Sequence, residues 1–245
     1  MGEMITLKTS PETSAYLAKP GKGAARGAVI VIHEVWGLDE HIKSVADRVA
    51  AAGYLALAPA LISHDDIDKA SFGEIQQALF DPERRNTIQP QLRKLMAPMQ
   101  APEFGTQTIA RVRACFDYLY DLPESQQKVA VMGFCFGGSY SFTLATVEPR
   151  LVAAIPFYGH ADHPPEELAA IACPVRAFYG EKDERLMNSL PELKQRMQAA
   201  KVDFEAKVYP DCGHAFFNDS NRFAYNQEAA TDAWQRVLEL LRQTT

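Results

Sequence analysis

The chain has 245 residues, 47% of them hydrophobic, with a formal net charge of −6 and a pI near 5.6. A chain of this size and apolar content buries one large core, so a single domain over 1–245 is expected, and collagen, repeat arrays and wholesale disorder are excluded. The basic residues are scattered in an acidic background, which leaves no electrostatic footprint for nucleic acid or an anionic membrane and makes a small molecule the expected partner.

Met4–Leu7 and Ala15–Ala18 read as short strands of an antiparallel edge, separated by the turn-rich Thr9-Ser10-Pro11. After a loop of glycine, proline and charge, Ala28–Ile32 (AVIVI) is a continuous apolar run that suits a strand buried on both faces. It ends at His33-Glu34-Val35-Trp36-Gly37. Asp39 caps a predicted helix with Ile42, Val45, Val49 and Ala52 at helical spacing, Gly53 stops it, and Tyr54–Ala58 is the next strand. This βαβ order predicts a mostly parallel central sheet flanked by helices. From about 61 to 105 the rhythm breaks, with SHDDID, a short helix through 75–80 and prolines at 82, 90, 98 and 102. A stretch this long reads as a cap over a site. Thr106–Asp121 is an amphipathic helix burying Ile109, Val112, Phe116 and Leu119. Regular units follow: strands at Leu151–Phe157, Val175–Tyr179 and Phe204–Tyr209, a helix at Pro191–Ala200, and a closing helix at Asn221–Thr244 with Ala230, Trp234, Val237 and Leu241 facing the core.

Between these units lies KVAVMGFCFGGSY, Lys128–Tyr140. Val129–Met132 makes a buried strand, the glycines flanking Cys135 make a sharp turn, and Ser139–Thr146 is compatible with a helix. A strand, a tight turn and a helix form a nucleophile elbow, with sulfur where the commoner version has oxygen. Side chains at Gly133 and Gly137 would collide with the neighbouring strand and helix, and the nucleophile is held at a strained φ/ψ. The turn also puts the Phe136 N–H at a helix N-terminus, where it can donate to an oxyanion.

A nucleophilic cysteine needs a base, expected late on the loop after the last strand, where His214 stands in DCGHAF. The orienting acid is expected on the loop before it, GEKDE. Asp183 is chosen over Glu181 and Glu184 because a glycine precedes it by three residues at a strand end. All three residues fall at carboxyl ends of predicted parallel strands, where open α/β sheets bind ligands. His33-Glu34 lacks the second histidine of a zinc-peptidase motif, since Gly37 occupies that position, and no metal is expected. Glu34 lies at the end of a buried strand facing the site, a costly place for an unpaired carboxylate. The cysteines, Cys115, Cys135, Cys173 and Cys212, are too far apart for a C-x-x-C pair. Without a leader or membrane-length apolar segment, free thiols in the cytoplasm are expected.

IVIHEVWGL, GFCFGG, YGEKD and GHAFF, in that order and over nearly the whole length, resemble the dienelactone hydrolase family of the α/β-hydrolase fold. The resemblance implies a Cys135, Asp183 and His214 triad, Glu34 beside the resting thiol, and an oxyanion hole of the Val35 and Phe136 amides. Family members that open dienelactone hold its carboxylate with a cap arginine and an arginine four residues after the histidine. The latter position is Asn218 here, Arg84 or Arg85 could supply the cap arginine, and Phe217 points to a less charged pocket; Trp36 is a further candidate for substrate contact. The expected activity is therefore hydrolysis of a lactone or activated carboxylic ester through a thioester, with no cofactor, by a monomer or weak homodimer. The alternative is a ligand-binding or thiol redox-sensing protein on the same fold, with Cys135 as the oxidised group.

Overall fold

The computed structural model describes residues 2–9, 12–21, 23–62, 69–81, 83–84 and 87–245. Ser10, Pro11, the whole SHDDID stretch, Pro82 and Arg85 lie outside these residues. Strands β1 (Glu3–Leu7) and β2 (Thr13–Ala18) pair antiparallel at one edge, as the turn between them suggests. The other strands are β3 (Ala28–Ile32), β4 (Leu55–Pro59), β5 (Val129–Phe134), β6 (Ala153–Phe157), β7 (Val175–Gly180) and β8 (Phe204–Tyr209). Among the described residues these eight form one sheet in the order β1-β2-β4-β3-β5-β6-β7-β8, parallel from β4 onward.

Helices cover the sheet: α1 (Glu40–Ala51), α2 (Lys69–Phe80), α3 (Gln89–Met96), α4 (Phe104–Asp121), α5 (Phe136–Val147), α6 (Pro165–Leu168), α7 (Glu184–Ala199) and α8 (Gln227–Thr244). β3 and β5 sit centrally and are fully buried, so their uninterrupted aliphatic runs fit apolar contact on both faces. Arg48 of α1 stacks 4.4 Å over the Trp234 ring of α8, tying those two helices together and leaving Trp234 half-buried rather than in the core.

Two helix starts and the 61–105 segment differ most from the sequence expectation. α7 begins at Glu184, not Pro191, because Asp183 starts it: its carbonyl accepts the Met187 N–H at 2.9 Å. Pro191 is carried inside the helix, where the buried Leu186, Leu190, Leu193 and Met197 offset the missing hydrogen bond. α8 begins at Gln227 under an Asn226 cap, since Asn221 instead accepts the Tyr225 N–H at 2.9 Å in a preceding turn. The 61–105 segment is more helical than expected, containing α2, α3 and a 3₁₀ turn at Ala97–Gln100. It carries its own small core of Ile75, Ala78 and Ile88, and Trp36 fills that core from the end of β3.

Candidate active site

Cys135 follows β5 directly and precedes the first residue of α5, at φ 54° and ψ −109°. A residue with a Cβ rarely takes this conformation, which costs on the order of 1–3 kcal/mol. Neighbours on both sides hold it there. The Cys135 N–H donates to Phe157 O at 3.0 Å on β6, and the Gly137 N–H donates to His33 O at 3.1 Å beyond β3. The approach is possible only for glycine: a Cβ on Gly137 would stand 2.3 Å from Ile32 O, and one on Gly133 would stand 2.1 Å from Gly137 O.

His214 and Asp183 come from adjacent loops that are sewn together. The Glu181 N–H donates to Tyr209 O at 3.0 Å and the Lys182 N–H to Cys212 O at 2.8 Å, which holds the loops after β7 and β8 together. Across that seam His214 Nδ1 meets Asp183 Oδ2 at 2.5 Å. The bond fixes Nδ1 as the donor and leaves Nε2 for the cavity. Asp183 is nearly enclosed, its side chain 10% exposed, while His214 is 37% exposed and opens to the cavity that Cys135 also lines. Burial alone would lower the imidazole pKa. The negative charge available on the adjacent Cys135 sulfur and the Asp183 hydrogen bond overcome it and hold His214 well above its ordinary value.

Glu34 is buried at the end of β3. Its Oε2 accepts the Asn218 Nδ2–H at 2.8 Å, Oε1 has no hydrogen-bond partner among the described residues, and burial raises its pKa despite opposing pulls from His41 and Asn218. His33 beside it is fully buried, and its Nε2 accepts the Leu61 N–H at 2.9 Å, so that nitrogen is unavailable to a metal. No cluster of metal-binding side chains occurs among the described residues, and no helix there is long and apolar enough to cross a membrane.

The cavity has a volume of about 840 Å³ and a lining of mixed character. Met96, Met99 and Phe104 of the cap segment and Ile109 of α4 line it with Phe136 and Tyr140, together with the polar His160, Asp162, His163 and Arg185. Val35 and Phe136 line it near the sulfur. Trp36, Arg84, Phe217 and Asn218 do not. Trp36 is committed to the cap core. Phe217 packs between Phe134 and Phe157 at ring distances of 5.3 and 4.9 Å, and Asn218 is buried against Glu34. Arg84 sits exposed on the turn before α3, and Arg85 is outside the described residues. Sequence reasoning missed Tyr158, buried just after β6 and turned toward Glu34, and Arg185, the only arginine or lysine lining the cavity among the described residues. The carboxyl-end rule that located His214 also covers Tyr158, whose strand was recognised.

Comparison with known proteins places this geometry in a lineage. A profile described as "Dienelactone hydrolase family" matches residues 13–245. A protein of Saccharolobus solfataricus, provisionally named a carboxymethylenebutenolidase, is 36% identical over 246 residues, covering 94% of each chain. A likewise named protein of Escherichia coli K12 is 30% identical over 94% of this chain and 82% of its own. A crystal structure of a provisionally assigned dienelactone hydrolase from Klebsiella pneumoniae superposes with a TM-score of 0.82 at 26% identity, covering 99% of this chain and 98% of that one. The dienelactone hydrolase-like promiscuous phosphotriesterase P91 from metagenomic libraries shares the fold at a TM-score of 0.76 and 23% identity, covering 100% of this chain and 98% of its own.

Proposed function

The chain belongs to the dienelactone hydrolase family, hydrolases acting on ester bonds, and from that premise we propose that it cleaves a lactone or activated ester with Cys135 as nucleophile, His214 as acid and base, and Asp183 as orienter. The observation that carries this reading is the 2.5 Å His214 Nδ1 to Asp183 Oδ2 bond beside the Cys135 sulfur in one cavity.

In the proposed sequence, His214 Nε2 takes the thiol proton, and the thiolate attacks the carbonyl carbon. The displaced electron pair rests on the carbonyl oxygen, met by the Phe136 and Val35 N–H groups, with the α5 N-terminus adding its positive end. When the intermediate collapses, the ester C–O bond breaks and the departing alkoxide takes the proton back from His214, leaving a thioester. Acylation removes the sulfur charge, the strongest influence raising the His214 pKa. The imidazole then becomes a neutral base that takes a proton from water as that water attacks the thioester. The thiolate leaves, and the acid is released. Thiolate is a better leaving group than amide nitrogen, so esters and lactones suit the site and unactivated amides do not.

Arg185 in the cavity lining favours substrates bearing negative charge. Cys115, Cys135, Cys173 and Cys212 are all free thiols, which supports a reducing, cytoplasmic setting. A redox sensor would have no use for an imidazole oriented by a carboxylate. Intact-mass measurement after mixing with p-nitrophenyl acetate or a small lactone tests the reading: a transient acyl adduct on Cys135, absent in Cys135→Ala together with turnover, is expected. Turnover that persists in Cys135→Ala would overturn it.

A further inference from the structure

A second histidine–aspartate pair stands close to Glu34. His41, in the first turn of α1, has a side chain only 1% exposed, and its Nδ1 meets Asp219 Oδ1 at 2.9 Å. Its Nε2 is buried without a hydrogen-bond partner among the described residues, and Glu34 Oε1 is in the same condition. Most buried side-chain polar atoms have a partner, so an unpartnered imidazole nitrogen calls for an explanation. Asn218 and Asp219 are consecutive, so one dipeptide grips Glu34 with its first side chain and His41 with its second, across Cα atoms only about 3.8 Å apart. Phe134 and Phe217 present their rings to the His41 edge at 6.1 and 6.4 Å, which keeps the neighbourhood apolar and its charges poorly screened.

We propose that His41 and Asp219 form a charge-holding pair that positions the protonation of Glu34, with Asp219 at the solvent end and Glu34 at the inner end. Asp219 is suited to the outer place because its side chain is 50% exposed, and His41 holds it below the usual carboxylate range. Positive charge on His41 favours the Glu34 carboxylate. The other groups facing Glu34 are Asp39 at the start of α1, which opposes ionisation, His214 from the loop after β8, which favours it, and Tyr158 after β6. Arg48 faces Asp219 from α1 and steadies its charge.

The test follows the Glu34 carboxyl directly, by infrared difference titration of the full chain with Glu34→Gln as the assignment control. In His41→Gln the ionisation constant of Glu34 is expected to weaken by about tenfold, and in Asp219→Asn to weaken in the same direction by less. The pH profile of Cys135 alkylation by iodoacetamide should move with it, and neither substitution should move that profile in a Glu34→Gln background. An ionisation constant within twofold of wild type in folded Asp219→Asn and His41→Gln overturns the proposal, as does a shift of opposite sign. Asp219→Asn is isosteric and half exposed, so it alone decides if His41→Gln does not fold: a weaker Glu34 ionisation supports the pair, and an unchanged one ends it. The readout needs no turnover, so its failure leaves the ester reading untouched.

Discussion

The two histidine–aspartate pairs are inside out relative to each other. In Asp183–His214 the carboxylate is 10% exposed and the imidazole 37%, whereas in His41–Asp219 the imidazole is 1% exposed and the carboxylate 50%. The same two residue types at similar separation therefore face opposite ways. An imidazole on the open side can exchange protons with a ligand, while one on the closed side can act only by its charge. In the proposed scheme, what distinguishes acid–base catalysis from electrostatic support is which member of the pair water can reach.

The largest expected effect breaks the first pair. Asp183→Asn loses the acceptor that fixes His214 Nδ1–H, and p-nitrophenyl ester turnover should fall by about 10³- to 10⁴-fold, against less than about tenfold for Asp219→Asn. Equal losses would abolish the distinction. A stability measurement sharpens the other side. Burial raises the Glu34 pKa in the folded chain, so between its unfolded value, about 4.3, and that raised value the folded state binds more protons. Wild-type stability should therefore fall as pH rises through this window, by up to about 1.4 kcal/mol per pH unit, and the slope should be absent from urea unfolding of Glu34→Gln. On the open side, Arg185→Gln should cost about tenfold in kcat/KM for mono-p-nitrophenyl glutarate and leave p-nitrophenyl butyrate nearly unchanged. The smallest signal is spectroscopic: in Cys135→Ala, histidine NMR should show His214 titrating at lower pH than in wild type.

Much of this was legible in the chain. The parallel sheet could be read because β3 and β5 are unbroken aliphatic runs, and the sharp turn at Cys135 because only glycine fits where Gly133 and Gly137 touch other backbone. Asp183 and His214 could be anticipated as neighbours because both follow strands that end at the same edge of a parallel sheet. Other roles had no local signature. An aromatic beside a site motif can line a pocket or plug a core, and only tertiary packing sends Trp36 and Phe217 to cores. His41 and Asp219 are 178 positions apart, joined by a contact that no spacing rule announces. Pro191 reads locally as a boundary, yet packing outweighs it.

Trp36 is plugged into the cap's small core, and the next peptide back belongs to Val35, which lines the cavity that Cys135 also lines. Roof and floor therefore share a rivet. A bulky guest that lifts the methionine-lined cover also tugs on the Val35 backbone proposed to steady the oxyanion, so this enzyme should reject oversized esters by slowing the chemistry as well as by weakening their hold.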